Sequence, residues 1–322
     1  MKILITGGLG FIGHHVVRLL ENHNHQCFIV DNTTDYGFIP ADELSYLIAE
    51  RKSRIKSEVY LADIVDSHRV NEIFEQIGNI DIIIHLASFP RQKVVAANPK
   101  LAADVMCSGL INLLEAARNF KVSKFVYISS SMVYGDFDCG VTETAVCKPQ
   151  GQYGIMKLMG EHLVQDYARQ GHFEHVIIRP SAVYGEYDVE DRVVSKFMLS
   201  AIRNQTIQVR GAEEILDFTH VTDTANGIFL STVSTCATGI FNITHSDIYP
   251  WTLMAAAQKC CSIASGGKIV GADRDLNFPR RGRLNIDRAR QLLAYNPVVP
   301  VDKGFRQYYD WFISSSFWKD RV

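Results

Sequence analysis

In the first half of the chain, short apolar runs alternate with stretches whose apolar residues recur every three or four positions. Lys2–Thr6, Gln26–Asp31, Glu58–Leu61, Asp81–Leu86, Lys124–Ser129 and His175–Arg179 are runs of strand length. Ile12–Asn22, Asp66–Gln76, Pro99–Asn119 and Tyr153–Gln170 between them carry helical spacing. The strand-like runs are continuously apolar rather than alternating, which predicts strands buried on both faces of a parallel sheet. The fold class expected is therefore α/β, a doubly wound parallel sheet of the Rossmann type covered by helices.

After Arg179 the rhythm loosens. Helices are expected at Val193–Arg203, Asp223–Ser231, Pro250–Ala264 and Asp287–Leu293, among short strands, glycines and charges. Residues 1–178 are read as a dinucleotide-binding domain and 179–322 as a smaller, mainly substrate-binding α/β domain. Ile240–Ile243 is expected to return as a strand to the first sheet.

Composition narrows the classes. The 322 residues are 47% hydrophobic and 21% charged, with a net charge of −2, so no basic face for nucleic acid is implied. The first apolar run is strand-sized and stops at Gly7-Gly8, too short for an export segment or a membrane span. Seven cysteines lie scattered without CxxC spacing, which reads as reduced thiols in the cytoplasm. Adjacent Cys260 and Cys261 are poor metal-ligand geometry, so no metal is expected.

The segment 3–13 contains Gly7, Gly8, Gly10 and Gly13 between a strand and a helix. Glycines at this spacing let the backbone turn tightly and approach a pyrophosphate, whose charge sits at the helix N-terminus. The second strand ends in Asp31, where an acid would bind the adenosine ribose and repel a 2′-phosphate. That favours NAD as cofactor. Asp63 and Ile64, after the third strand, are candidates for the adenine side, with helix capping as the alternative for Asp63.

Phe125–Ser131 ends in three serines at the sheet edge where such folds bind ligands. Tyr153 and Lys157 follow at i, i+4, on one helical face. A phenol titrates near 10, and a neighbouring ammonium together with a cationic nicotinamide would lower that value. A serine hydroxyl could then complete a hydrogen-bonded triangle about a reacting alcohol.

Taken together, TGGLGFIG (6–13), Asp31, Asp63-Ile64, HLAS (85–88), SSSMVYG (129–135), YGIMK (153–157), RPSAVYG (179–185) and DFTHVTD (217–223) resemble the extended short-chain dehydrogenase/reductase family, specifically its NAD-dependent nucleotide-sugar epimerases and dehydratases. The resemblance covers nearly the whole chain. It implies that Gly7, Gly10 and Gly13 line the pyrophosphate, with Phe11 and Ile12 opening the helix beneath it. It further implies that Asp31 and Asn32 hold the adenosine ribose, that Leu86, Ala87 and Ser88 line the cofactor cleft, and that Lys157 also binds the nicotinamide ribose. Tyr153, Lys157 and Ser130 are the implied catalytic set, with Ser130 and Ser131 beside the substrate.

Where dehydratases of that family carry an Asp-Glu pair after the catalytic serine or threonine, this chain has Ser131 and Met132. What remains suits hydride chemistry. The resemblance thus implies a nucleotide-sugar epimerase acting at C4 through a transient 4-keto sugar. A 4-ketoreductase or dehydrogenase is the alternative, then a 4,6-dehydratase, and remotely a non-catalytic NAD-binding scaffold. Candidate substrate contacts are Arg91, Ala182 (where many epimerases have Asn), Arg210, and the arginines of Pro279–Arg283, with Arg283 placed ahead of Arg281 as a diphosphate clamp. The family also implies a homodimer built from Pro99–Asn119 and Tyr153–Gln170.

Overall fold

A computed structural model describes residues 1–319 and 321. The first half runs β1 (Lys2–Thr6), α1 (Phe11–Asn22), β2 (Gln26–Asp31), α2 (Ala41–Ser53), β3 (Glu58–Leu61), α3 (Ser67–Ile77) and β4 (Ile82–His85). It continues through α4 (Gln92–Ala97), α5 (Pro99–Ala103), α6 (Leu110–Asn119), β5 (Lys124–Ile128), α7 (Gln152–Arg169) and β6 (Glu174–Pro180). The second half comprises β7 (Val183–Tyr184), α8 (Val193–Ile202), β8 (Thr206–Arg210), β9 (Ile215–Leu216), β10 (Thr219–His220), α9 (Val221–Val233) and β11 (Gly239–Ile243). It ends with β12 (Trp251–Thr252), α10 (Leu253–Ala264), β13 (Lys268–Ala272), α11 (Asp287–Leu293) and α12 (Val301–Ser314).

The central sheet has seven parallel strands in the order β3-β2-β1-β4-β5-β6-β11. Every residue of β4 and β5 is buried, as their unbroken apolar runs require of interior strands. One face packs on α3, α6 and α7 through Val70, Phe74, Leu113, Leu114 and Val164. The other packs on α1, α9 and α11 through Val16, Val17, Leu20, Ile228, Phe229 and Ala289. Helix α3 shows the local logic. Asp66 caps it by accepting from Arg69 N at 3.0 Å, and Val70, Ile73, Phe74 and Ile77 form its buried stripe.

A second core joins α8, α10 and α12 with the parallel pair β8–β13, which the sequence pattern did not suggest. The sheet also draws more from the second half than the returning strand, because α9 and α11 belong to its core. The segment 99–119 is not one regular α-helix, since a π-helical turn at Asp104–Gly109 joins α5 to α6. Among the described residues no helix is long and apolar enough to cross a membrane.

Strand order reverses direction between β1 and β4, and a cleft of about 1000 Å³ opens above the C-terminal ends of the strands there. Both cores contribute to its walls.

Candidate active site

The cofactor half of the cleft is built from the β1–α1 turn. Gly7 adopts φ +73°, and a Cβ there would lie 2.7 Å from Ala87 N. A Cβ on Gly13 would lie 2.1 Å from Gly7 O, so both positions require glycine. Gly10 caps α1 with no side-chain hydrogen bond, leaving the first helical N–H groups facing the cleft beside Phe11 and Ile12. This cradle fits a pyrophosphate.

Asp31 lines the same cleft and fixes its rim, accepting from Leu9 N at 2.9 Å and Thr33 N at 2.8 Å. Burial pushes its carboxyl above the usual range, against those two hydrogen bonds and Arg51. Asn32 donates to Asp63 at 3.1 Å, and Asp63 also accepts from Val65 N at 2.9 Å. The helix cap next to them is Asp66, which leaves Asp63 turned to the cleft with Ile64. Leu86, Ala87 and Ser88 line the opposite wall, where Ala87 N is tied to Thr6 O at 3.0 Å. Beneath them His85 Nδ1 bonds Thr6 Oγ1 at 2.7 Å, and burial with Lys157 nearby pushes its imidazole down to about 3, so it is neutral.

Tyr153, Lys157, Ser130 and Ser131 come together at the inner end of the cleft. Lys157 Nζ donates to Ile128 O at 2.7 Å and lies 5.9 Å from the centre of the Tyr153 ring. Burial pushes the ammonium down to about 7, with Glu161 acting in the opposite sense. Burial also raises the Tyr153 phenol, while Arg192 and the Ser130 hydroxyl lower it. Ser130 Oγ accepts from Met132 N at 3.2 Å and stays on the cleft surface. Ser129 turns the other way, donating to Glu161 at 2.5 Å.

On the substrate side the candidates separate. Arg91 lines the cleft but is paired with Asp191 at 2.6 Å and lies over the Phe38 ring at 4.8 Å. Arg210 and Arg281 line the cleft. Burial pushes the Arg281 guanidinium down to about 10, with Glu214 opposing. Arg283 is not among the lining residues; its Nη1 reaches Ser246 Oγ at 3.3 Å. The order of preference between the two arginines therefore reverses. Ala182 lines the cleft with φ +38°, a strained value for a residue with a Cβ and one that Asn tolerates better.

Several lining or supporting residues lay outside the sequence reading. Arg51 bridges Leu9 O (3.3 Å) and Tyr187 O (2.7 Å), tying the glycine turn to the segment before α8. Arg192 reaches the cleft from that same segment. Glu161 had a usable signal, because it extends the 153, 157 spacing by one more turn. The other two had none.

A dinucleotide cradle at the switch point, with a Tyr-x3-Lys helix and a serine turn facing it, defines the short-chain dehydrogenase/reductase class. A family model of the NAD dependent epimerase/dehydratase family matches residues 3–243, and the chain belongs to that family. NAD is its cofactor. An uncharacterized UDP-glucose epimerase, YtcB of Bacillus subtilis, is 28% identical over 318 residues, covering 94% of this chain and 95% of that protein. A dTDP-glucose 4,6-dehydratase of Escherichia coli is 26% identical, covering 100% and 95%. A UDP-glucuronic acid 4-epimerase from Bacillus cereus, crystallised with UDP-glucuronic acid and NAD, superposes with a TM-score of 0.87 at 26% identity, over 97% of this chain and 98% of its own.

Proposed function

We propose that this chain is a nucleotide-sugar 4-epimerase, with Tyr153 as acid and base, Lys157 and Ser130 as its partners, and a 4-keto sugar as the transient species. The observation that carries the reading is the convergence of phenol, ammonium and serine hydroxyl at the inner end of the cofactor cleft, with Ser131 and Met132 as the residues after Ser130. Glu161, the carboxylate one turn beyond Lys157, is held by Arg179 and Ser129 behind the site. A dehydratase needs a free acid beside the sugar, so this arrangement favours epimerisation even though dehydratases are among the similar proteins.

Bound NAD supplies the hydride acceptor and donor. Tyr153 removes the proton from the sugar hydroxyl as the carbonyl forms and returns it when the alcohol is restored. Lys157 and the Ser130 hydroxyl stabilise the phenolate and hold the reacting oxygen. The sugar must turn over between the two half-reactions, and the roomy, partly apolar cleft allows this. Gly7, Gly10, Phe11, Ile12, Gly13, Asp31, Asn32, Asp63, Ile64, Leu86, Ala87 and Ser88 are the proposed cofactor contacts. Ser130, Ser131, Arg91, Ala182, Arg210 and Arg281 all line the cleft and are the proposed substrate contacts, with Arg91 already paired to Asp191. Arg192 joins them as the cation acting on the phenol; its Nε lies 3.7 Å from the buried Asp188 carboxylate.

The test incubates the protein with UDP-, GDP-, dTDP- and CDP-hexoses and UDP-glucuronic acid and follows epimer composition by NMR. One of these should equilibrate with its C4 epimer, and Tyr153→Phe should lower kcat at least ~100-fold, as expected for loss of a general acid–base. Formation of a 4-keto-6-deoxy sugar would establish the dehydratase instead.

A further inference from the structure

Helix α7 carries a third functional-looking residue on the stripe of Tyr153 and Lys157. Glu161 is only 1% exposed and forms a two-pronged ion pair with Arg179 of β6, at 2.9 Å from Nε and 2.5 Å from Nη2. Its Oε1 also accepts from Ser129 Oγ at 2.5 Å. Arg179 is itself fixed by Glu143 O at 3.3 Å and by the Tyr134 ring, 4.7 Å from its guanidinium carbon.

A buried ion pair of this kind is weak evidence for stability, because desolvating two charges offsets most of their attraction. Its position is more informative. Lys157 and Glu161, one turn apart, grip consecutive residues at the end of β5: Lys157 holds Ile128 O, and Glu161 holds the Ser129 hydroxyl. The next residue is Ser130. Lys157 and Glu161 also share one face of α7 at i, i+4, and their partners are adjacent in the chain, which puts the carboxylate on the buried side of the ammonium's own stripe. The other groups around that ammonium are the Tyr127 and Tyr153 rings, 5.2 and 5.9 Å from it, and neutral His85; Arg192 acts on the Tyr153 phenol, and Arg179 lies on the far side of Glu161 as its ion-pair partner. None supplies a compensating negative charge.

We propose that Glu161 is a positioning residue: clamped by Arg179, it sets the serine turn through Ser129 and supplies the negative charge that keeps the Lys157 ammonium charged beside Tyr153. Its effect on Lys157 opposes the desolvation of that group. The role extends the Tyr153–Lys157 assignment above, but the following test reads Lys157 directly and needs no substrate.

The purified full chain is labelled at lysine ε-carbons, and Lys157 is assigned by the signal lost in Lys157→Met. Its protonation midpoint is then followed by NMR, every variant being in the same cofactor state. Glu161→Gln keeps a hydrogen-bond acceptor for Ser129 and removes the charge, so the proton affinity of Lys157 should fall about tenfold or more. Ser129→Ala keeps the charge and should leave the midpoint within about twofold in affinity. If Glu161→Gln leaves Arg179 stranded and does not fold, Glu161→Gln with Arg179→Gln, neutral on both sides, should show a smaller fall in the same direction. An unshifted Lys157 in a folded Glu161 variant would overturn the proposal, as would an equal shift in Ser129→Ala. Should no hexose epimerise while the midpoint falls, the epimerase reading fails and the role of Glu161 stands. Should Tyr153→Phe abolish turnover while the midpoint stays, only the role of Glu161 fails.

Discussion

Burial does most of the work on individual ionisable groups here, and at Glu43 it outweighs the hydrogen bond from Glu190 N and the nearby Arg51, which favour the charged form. The side chain is 2% exposed on α2, accepts from Glu190 N at 2.7 Å, and is pushed up to about 7 by desolvation, reinforced by Glu190 and Asp188. The folded protein thus holds a proton that the unfolded chain has already lost between about pH 4.5 and 7. Stability falls as pH rises through that window. Glu43→Gln keeps the acceptor and removes the penalty, so it should stabilise by ~1–3 kcal/mol at pH 8 and by little at pH 4.5, measured by urea unfolding. Equal effects at both pH values would contradict this account. The neighbouring Arg51 meets the same desolvation from the opposite sign and is pushed down to about 10, held by Asp188, Asp31 and Glu43. This charged patch ties α2 to the segment carrying Arg192.

That patch also explains which elements could be read from sequence. The interior sheet strands and α1 and α3 follow apolar periodicity closely, because each buries an apolar face. Helix α2 does not: its buried residues are Glu43, Leu47 and Arg51, two of them charged, so no apolar stripe marks it. The π-turn at Asp104–Gly109 leaves the pattern of 99–119 intact and is visible only in geometry. Helix α12, also not expected, does carry a stripe of Val301, Phe305, Tyr308 and Phe312. The glycine turn, the acid after β2, and the Tyr–Lys–Ser set were legible because each chemistry demands fixed spacing. Ser129 turning inward, and Arg281 rather than Arg283 reaching the cleft, depend on long-range packing that spacing does not encode. At this scale the exposed faces of α5, α6 and α7 make one further expectation. Leu101, Ile111 and Ile155 are 46%, 40% and 53% exposed, and a shallow apolar hollow on α7 includes Leu158, Met159 and Leu163. Pairing of these helices across two subunits would bury them. Light scattering at micromolar concentration should give a dimer mass for the parent and a monomer for Ile155→Asp; a monomeric parent would contradict the pairing.

At the scale of the whole molecule, the segment 185–192 joins the two halves of the cleft. Arg51 and Arg54 hold Tyr187 from the cofactor side, and Arg91 holds Asp191. Walls tied together in this way suit the proposed epimerisation, which must keep its cofactor and a keto sugar through both half-reactions. The central claim is that the redox change is borrowed and returned within each turnover. It is tested most directly by following absorbance near 340 nm while a nucleotide-sugar that the protein turns over is incubated with it, without added cofactor. The account predicts that product accumulates over many turnovers while the absorbance change stays no larger than about the enzyme concentration, as for a cofactor that only carries the hydride. Turnover that requires added NAD or NADH and changes it mole for mole with the sugar would contradict the epimerase and identify a net reductase or dehydrogenase.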